Sequence, residues 1–173
     1  MIIKKLKEII ISPYQSAEFI LKEASPESKC KPIRLKKTGK MLVLKFDGTL
    51  DLLPFLNSSI ADVKKMCDYI VIYPVKGKNK LFVFLCELKS GHISDAGEQV
   101  RAGRHFAEYL ISTALRLIGY RAYDIQYRAL IFSTKTAKDT KPKTSPYEEY
   151  PMLNLKYKHL PCNQDCDINV YCF

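Results

Sequence analysis

With 173 residues, 47% hydrophobic side chains, 11 Tyr and 8 Phe, the chain has the composition of one folded domain with a real core, which excludes a disordered segment. A formal net charge of +10, from 28 Lys and Arg against 18 Asp and Glu, favours a polyanionic partner, because cationic surface gains affinity by releasing counterions from a phosphate backbone. No apolar run approaches the roughly 20 residues of a membrane-spanning helix, and the six cysteines lack the spacing of a secreted disulfide framework.

In chain order, "MIIKKLKEIII" at residues 1–11 alternates charge with apolar residues and carries no small-residue cleavage site, so a signal peptide is not expected and a cytoplasmic location is. Ile2, Ile3, Leu6, Ile9 and Ile10 recur at helical spacing and predict an amphipathic helix over 1–10. "SPYQ" then offers Ser12 as N-cap, Pro13 at the first helical position and Gln15 three residues past the cap. This capping-box start predicts a second helix to about Ala24, with Ala17, Ile20, Leu21 and Ala24 facing inward. After a basic connection, "MLVLKF" reads as a strand ended by the turn pair Asp47-Gly48, and "ADVKKM" as a single helical turn.

Two β-rich runs follow, "DYIVIYPV" and "LFVFLCELK", separated by "KGKN". Both are apolar on both faces, as central strands covered on each side are. "SDAGEQVRAGRHFAEYLISTALRLIG" is the clearest helix, with Ser94 as cap and Gly119 as terminator, and "IQYRALIFST" is a further strand. Residues 135–146 form a basic, proline-bearing loop. The tail 147–173, rich in Tyr and Cys but without a firm period, is expected to pack on the core. Cys30, Cys67 and Cys86 read as reduced, buried thiols. The whole is one α/β domain in the order helix, three strands, helix, strand, with a central mixed sheet of about four to five strands flanked by helices.

The chemistry concentrates at the end of "LFVFLCELKSG". Glu87 and Lys89 are two apart, so on a strand they share a face. A two-residue type II′ turn at Gly77-Lys78 makes paired positions sum to 155 and sets Asp68 opposite Glu87. A turn at Lys78-Asn79 makes them sum to 157 and sets Asp68 opposite Lys89. Either register puts all three side chains on one face, and only an odd loop would separate them. Two carboxylates that close repel unless a cation lies between them, and hard oxygen ligands with open positions suit Mg²⁺ or Mn²⁺. A lysine beside such a site can place a water or offset charge growing on phosphorus. On the following helix Val100, Phe106, Ala107, Leu110, Ala114 and Leu117 form an inward stripe on which Gln99 also falls, one turn from the N-terminal end.

This order of elements, with "CDYIVIYP" and "FLCELKSG" in succession, resembles the PD-(D/E)XK (restriction-endonuclease-like) nuclease superfamily over roughly residues 12–133. The resemblance implies that Asp68 and Glu87 hold the metal and that Lys89 positions water. It also implies that Gln99 matches the glutamine some branches add from the next helix, and that an acid from the first core helix contributes, for which Glu18 is the candidate. Cys67 stands where many members have the proline before the first acid. Gly103 stands where some exonuclease branches place a tyrosine, which weighs against an exonuclease. The implied activity is metal-dependent hydrolysis of DNA, more than of RNA, to 5′-phosphate and 3′-hydroxyl ends. A small nuclease of this kind is expected to act as an endonuclease effector or subunit in a bacterial or phage-conflict defence system, as a homodimer or with a partner subunit.

Three further groups bear on partners. Arg101, Arg104 and His105 lie off the inward stripe, and Lys135, Lys138, Lys141 and Lys143 crowd one loop, so these cations are candidates for nucleic-acid contact. His92 is a candidate phosphate contact or a surface histidine. His159, Cys162, Cys166 and Cys172 supply four soft ligands for a structural Zn²⁺ or pack the tail as reduced residues. The alternative to a nuclease is a non-catalytic nucleic-acid-binding or scaffold subunit with the same fold.

Overall fold

The computed structural model describes residues 1–23, 25–36, 39–46, 53–91, 93–119, 122–135, 147–150 and 155–172. Helix α1 (Ile2–Ile9) forms where the spacing of its isoleucines predicts and buries Ile2, Ile3 and Leu6. Gln15 turns back on its end. Its Nε2 donates to the carbonyls of Lys7 at 2.9 Å and Ile10 at 2.5 Å, acceptors that a helix terminus leaves without intrahelical partners. Gln15 is thereby spent, and the helix expected over 12–24 does not form. Ser12–Tyr14 make one 3-10 turn, after which the chain runs extended: Gln15 bridges Leu44, and the Ser16 N–H donates to the Val43 carbonyl at 2.9 Å. Strand β1 (Ile20–Leu21) pairs antiparallel with β2 (Ile33–Lys36), which alternates buried Ile33 and Leu35 with exposed Arg34 and Lys36. Ala24, the Asp47-Gly48 turn and residues 136–146 lie outside the described residues.

The main sheet is built on β3 (Leu42–Lys45), β4 (Tyr69–Pro74), β5 (Lys80–Lys89) and β6 (Asp124–Ser133), with β7 (Glu148–Tyr150) and β8 (Leu155–Pro161) from the tail. Among the described residues it has six strands in the order β3-β4-β5-β6-β8-β7, one or two more than expected. The pairs β5-β6 and β6-β8 are parallel and the others antiparallel, so the sheet is mixed. The last strand, β9 (Cys166–Asp167), joins β1 and β2 in a separate small sheet. Side-chain alternation splits the core in two. Leu44, Ile70, Ile72, Val83, Leu85 and Ala129 face the helices, while Val43, Val71, Phe82, Phe84, Cys86 and Phe132 face β1, β2 and the tail. Tail docking is specific: the Tyr73 hydroxyl bonds Asn169 Oδ1 at 2.9 Å, and Ile168 is fully buried.

Val75 and Lys80 close the β4–β5 hairpin. The Val75 N–H donates to Lys80 at 2.9 Å and the Lys78 N–H to Val75 at 3.2 Å. Gly77, at φ +74°, is thus the third residue of a turn within a four-residue loop, not the first of a two-residue turn. The loop remains even in length. The expected helical turn in "ADVKKM" is instead a run of non-helical turns.

Helix α2 (Ala96–Leu117) crosses from β5 to β6, with Asp95 rather than Ser94 at the N-cap, and Gly119 follows it at φ +82°. Its buried line runs through Val100, Gly103, Ala107, Ile111 and Ala114. Phe106 and Leu110 are half-buried, and Leu117, expected inside, is 49% exposed. Small residues let the helix lie close to the start of β4. The Cys67 N–H donates to the Gln99 carbonyl at 3.0 Å, and a Cβ on Gly103 would come within 2.3 Å of Cys67 Sγ. The glycine at 103 is therefore a packing requirement. Among the described residues no helix is long and apolar enough to cross a membrane. Gly103→Ala is expected to destabilise the fold by about 1–3 kcal/mol through overpacking. In urea denaturation Cys67→Ala/Gly103→Ala should lose less stability than the two single substitutions summed, and strict additivity would refute the contact.

Candidate active site

The β4–β5 ladder ends at Tyr69↔Cys86, and one further step places Asp68 opposite Glu87, the register in which positions sum to 155. Here the two carboxylates take over from the ladder. Glu87 Oε2 accepts the Asp68 N–H at 3.2 Å, and Asp68 Oδ2 accepts the Leu88 N–H at 2.8 Å. Each acid is thus held by a backbone donor at the other's strand end. The Phe46 N–H, just past β3, donates to the Asp68 carbonyl at 2.9 Å, and β5 continues beside β6 with Glu87↔Ile131 and Lys89↔Ser133. Alternation from Val83 and Leu85 puts Glu87 and Lys89 on the α2 side of the sheet.

Lys89 joins this pair to α2. Its Nζ lies 2.9 Å from Glu87 Oε1, 2.5 Å from Gln99 Oε1 and 3.1 Å from Asp95 Oδ2. Glu87 is 1% exposed. Burial first, and then the Asp68 charge, push the Glu87 carboxyl up to about 8 against the pull of Lys89, and burial pushes Asp68 up to about 6. Lys89 is raised because its bonds to Glu87 and Asp95 together outweigh the burial that acts to lower it. A site that disfavours its own ionised carboxylates is one where an added cation is stabilised.

Glu23 is the acid that spacing did not reveal. The Tyr69 hydroxyl accepts the Lys22 N–H at 2.9 Å and donates to the Lys22 carbonyl at 2.8 Å, which pins the next residue beside Asp68. Glu23 Oε2 accepts from Ser90 Oγ at 2.6 Å and from Ser28 Oγ, and its charge contributes to the rise at Asp68. No periodicity links Glu23 to Asp68. The hint that the sequence carries is a tyrosine, Tyr69, directly after Asp68, one of two in β4.

The other candidates are dispersed. Glu18, placed on a helix that does not form, is exposed in the bend just before β1. Arg101 is exposed and 3.6 Å from Glu98. Arg104 pairs with Glu108 at 2.9 Å and stands over the Tyr127 ring, and His105 lies 3.5 Å from Glu108. Lys135 is exposed, two positions beyond the partner of Lys89, while Lys138 and His92 lie outside the described residues. Of the soft ligands, His159 meets Ser133 Oγ through Nε2 at 2.7 Å, whereas Cys162 and Cys166 are buried in the opposite core and Cys172 packs against it. Among the described residues no group of three or more His, Cys, Asp or Glu is arranged to hold a metal ion. The chain matches no family model, no curated protein and no solved structure.

A raised carboxyl makes stability fall with pH. Between 4.5, the ordinary value for Glu87, and about 8, the folded protein keeps a proton that the unfolded chain has lost. That stabilisation is complete below the lower value and declines through the window. Asp68 acts likewise from 3.8 to about 6. Without divalent ions the melting temperature should therefore drop from pH 5 to pH 8, and Glu87→Gln should flatten the slope; a wild-type slope unchanged by that substitution would refute the assignment.

Proposed function

We propose that the chain is a metal-dependent nuclease of the restriction-endonuclease-like, PD-(D/E)XK type, which hydrolyses phosphodiester bonds in DNA. The observation that carries this reading is the meeting of Asp68, Glu87, Lys89 and Gln99 at one strand end, through contacts of 3.2 Å or less. The run of β3, β4 and β5 in antiparallel order, then α2 and parallel β6, supports it. So does the contrast between a chain of net charge +10 and a site where Asp68, Glu87 and Asp95 surround the Lys89 ammonium, with the charge of Glu23 felt at Asp68. Basic surface suits a polyanion, and a cluster of acids within it suits a cation between protein and phosphate.

The donor set fits Mg²⁺ or Mn²⁺: hard carboxylate oxygens, fewer than a closed protein cage needs, with room for water and phosphate oxygens. Asp68 and Glu87 would hold the ion, with Glu23 adding negative charge beside Asp68. Such an ion polarises a phosphoryl oxygen and lowers the pKa of bound water. The protein's own groups do the positioning. The backbone N–H groups of Asp68 and Leu88 fix the two carboxylates. Gln99, whose carbonyl is tied to Cys67, fixes the Lys89 ammonium, which directs water and offsets charge developing on the phosphate.

Incubation of plasmid DNA with the protein and Mg²⁺ or Mn²⁺ is expected to give 5′-phosphate ends, with rates roughly 10²-fold or more lower for Glu87→Ala and Lys89→Ala. Equal cutting by all three proteins identifies a contaminant, and DNA binding without cutting under either ion favours the non-catalytic subunit. Independently of cutting, millimolar Mg²⁺ should raise the melting temperature more at pH 8 than at pH 5, and Glu87→Gln should remove that difference.

A further inference from the structure

We propose that Asp95 is a latch on Lys89: it holds the ammonium in the ligand-free protein and yields it to a substrate phosphate or its water. The inference rests on the nuclease reading of the site and adds a residue that the resemblance does not assign. A lysine ammonium has three hydrogens, and Lys89 Nζ has three acceptors, Glu87 Oε1 at 2.9 Å, Gln99 Oε1 at 2.5 Å and Asp95 Oδ2 at 3.1 Å. Hydrogen bonds to Gln99 and Asp95 and the ion pair with Glu87 crowd the ammonium, so a phosphate or water oxygen approaching it competes with these three acceptors.

The three acceptors are not equally held. Glu87 is buried, and its other oxygen carries the Asp68 N–H. Gln99 lies in the first turns of α2, with its carbonyl bound to Cys67. The Asp95 side chain is 57% exposed, and Asp95 precedes the helix. An exposed carboxylate rotates into water at little cost. Asp95 is also at the N-cap, where an aspartate ordinarily accepts an N–H of the first turn, yet its side chain makes no capping bond. Its carboxylate is given to Lys89 instead. As an anion beside the ammonium it competes with the phosphate that the site must admit, so the latch shields a partly buried cation until a better acceptor arrives.

Asp95→Asn tests this, because asparagine caps a helix as well as aspartate; Asp95→Ser serves as a second variant. Binding of a labelled duplex oligonucleotide is measured by fluorescence anisotropy at physiological ionic strength, in the wild-type and Lys89→Gln backgrounds, with Lys89→Met if the glutamine variant does not fold. Asp95→Asn should tighten binding about two- to fivefold in the wild-type background, with little or no gain where Lys89 is replaced. In cleavage assays KM should fall by the same factor with kcat held within about twofold, as for an interaction lost on binding. An equal gain in both backgrounds reports bare charge removal and overturns the latch. No gain, or a fall in kcat at constant KM, overturns it too, and absence of DNA binding by every variant overturns latch and nuclease together. Coupling in binding with no cutting sinks the cleavage reading alone, whereas cutting without coupling sinks the latch alone.

Discussion

Where β4 and β5 stop pairing, each strand takes a carboxylate from the other: Asp68 N–H to Glu87, and Leu88 N–H to Asp68. Ladder donors at a buried strand end must be paired, and here side-chain acids satisfy them. The exchange accounts for several features at once. It orients both acids by backbone rather than by flexible side chains, and it draws Glu87 almost completely out of water. It also sets two carboxylates near one another where neither ionises easily. The Lys89 ammonium, and beyond it Gln99 and Asp95, are the responses to that placement.

The cost of such a site is electrostatic, and the surrounding fold carries it. Burying a carboxylate is unfavourable unless it is hydrogen-bonded or countered. Glu87 has a backbone donor on one oxygen and Lys89 on the other, while Asp68 has a backbone donor and the more distant field of Lys89. What remains uncompensated appears as raised carboxyl pKa values, and Glu23 adds to it. The same imbalance that weakens the fold with rising pH would, on the proposed reading, attract a divalent cation. Under that reading, stability and metal binding would pull on the same two carboxyl groups in opposite directions.

Helix α2 reaches the site because its inner face is small. Gly103 admits Cys67 to a distance at which a methyl group would collide, and that approach lets the Gln99 carbonyl take the Cys67 N–H, one residue before Asp68. From this anchor the Gln99 side chain points at Lys89 and Asp95 stands at the helix entrance. Cys67 and Gly103, the two positions that depart from the pattern of the proposed nuclease superfamily, lie against each other. Their pairing is one packing solution in place of two independent oddities.

Much of this site was legible in the linear chain because it rests on local periods. Glu87 and Lys89 share a face by the two-residue period of a strand, Asp68 follows by the parity of an even loop, and Gln99 by the turn of a helix. Local period also placed α1, β4, β5, α2 and β6. Where competition between distant groups decides, the same rules failed. Gln15 could cap its own helix or close the preceding one, and the carbonyls of Lys7 and Ile10 took it, so the helix carrying Glu18 was never made. The tail shows no period because β8 is held by pairing with β6 across the sheet, not by its own pattern. Glu23 is brought to the site by contacts that include the distant Tyr69 hydroxyl and Ser90. Sequence alone determined which side chains share a strand or helix face, since chain geometry sets that residue by residue. Only the tertiary structure decided which acid joins them and how the Lys89 hydrogens are shared, because those bonds are contests among partners far apart in the chain.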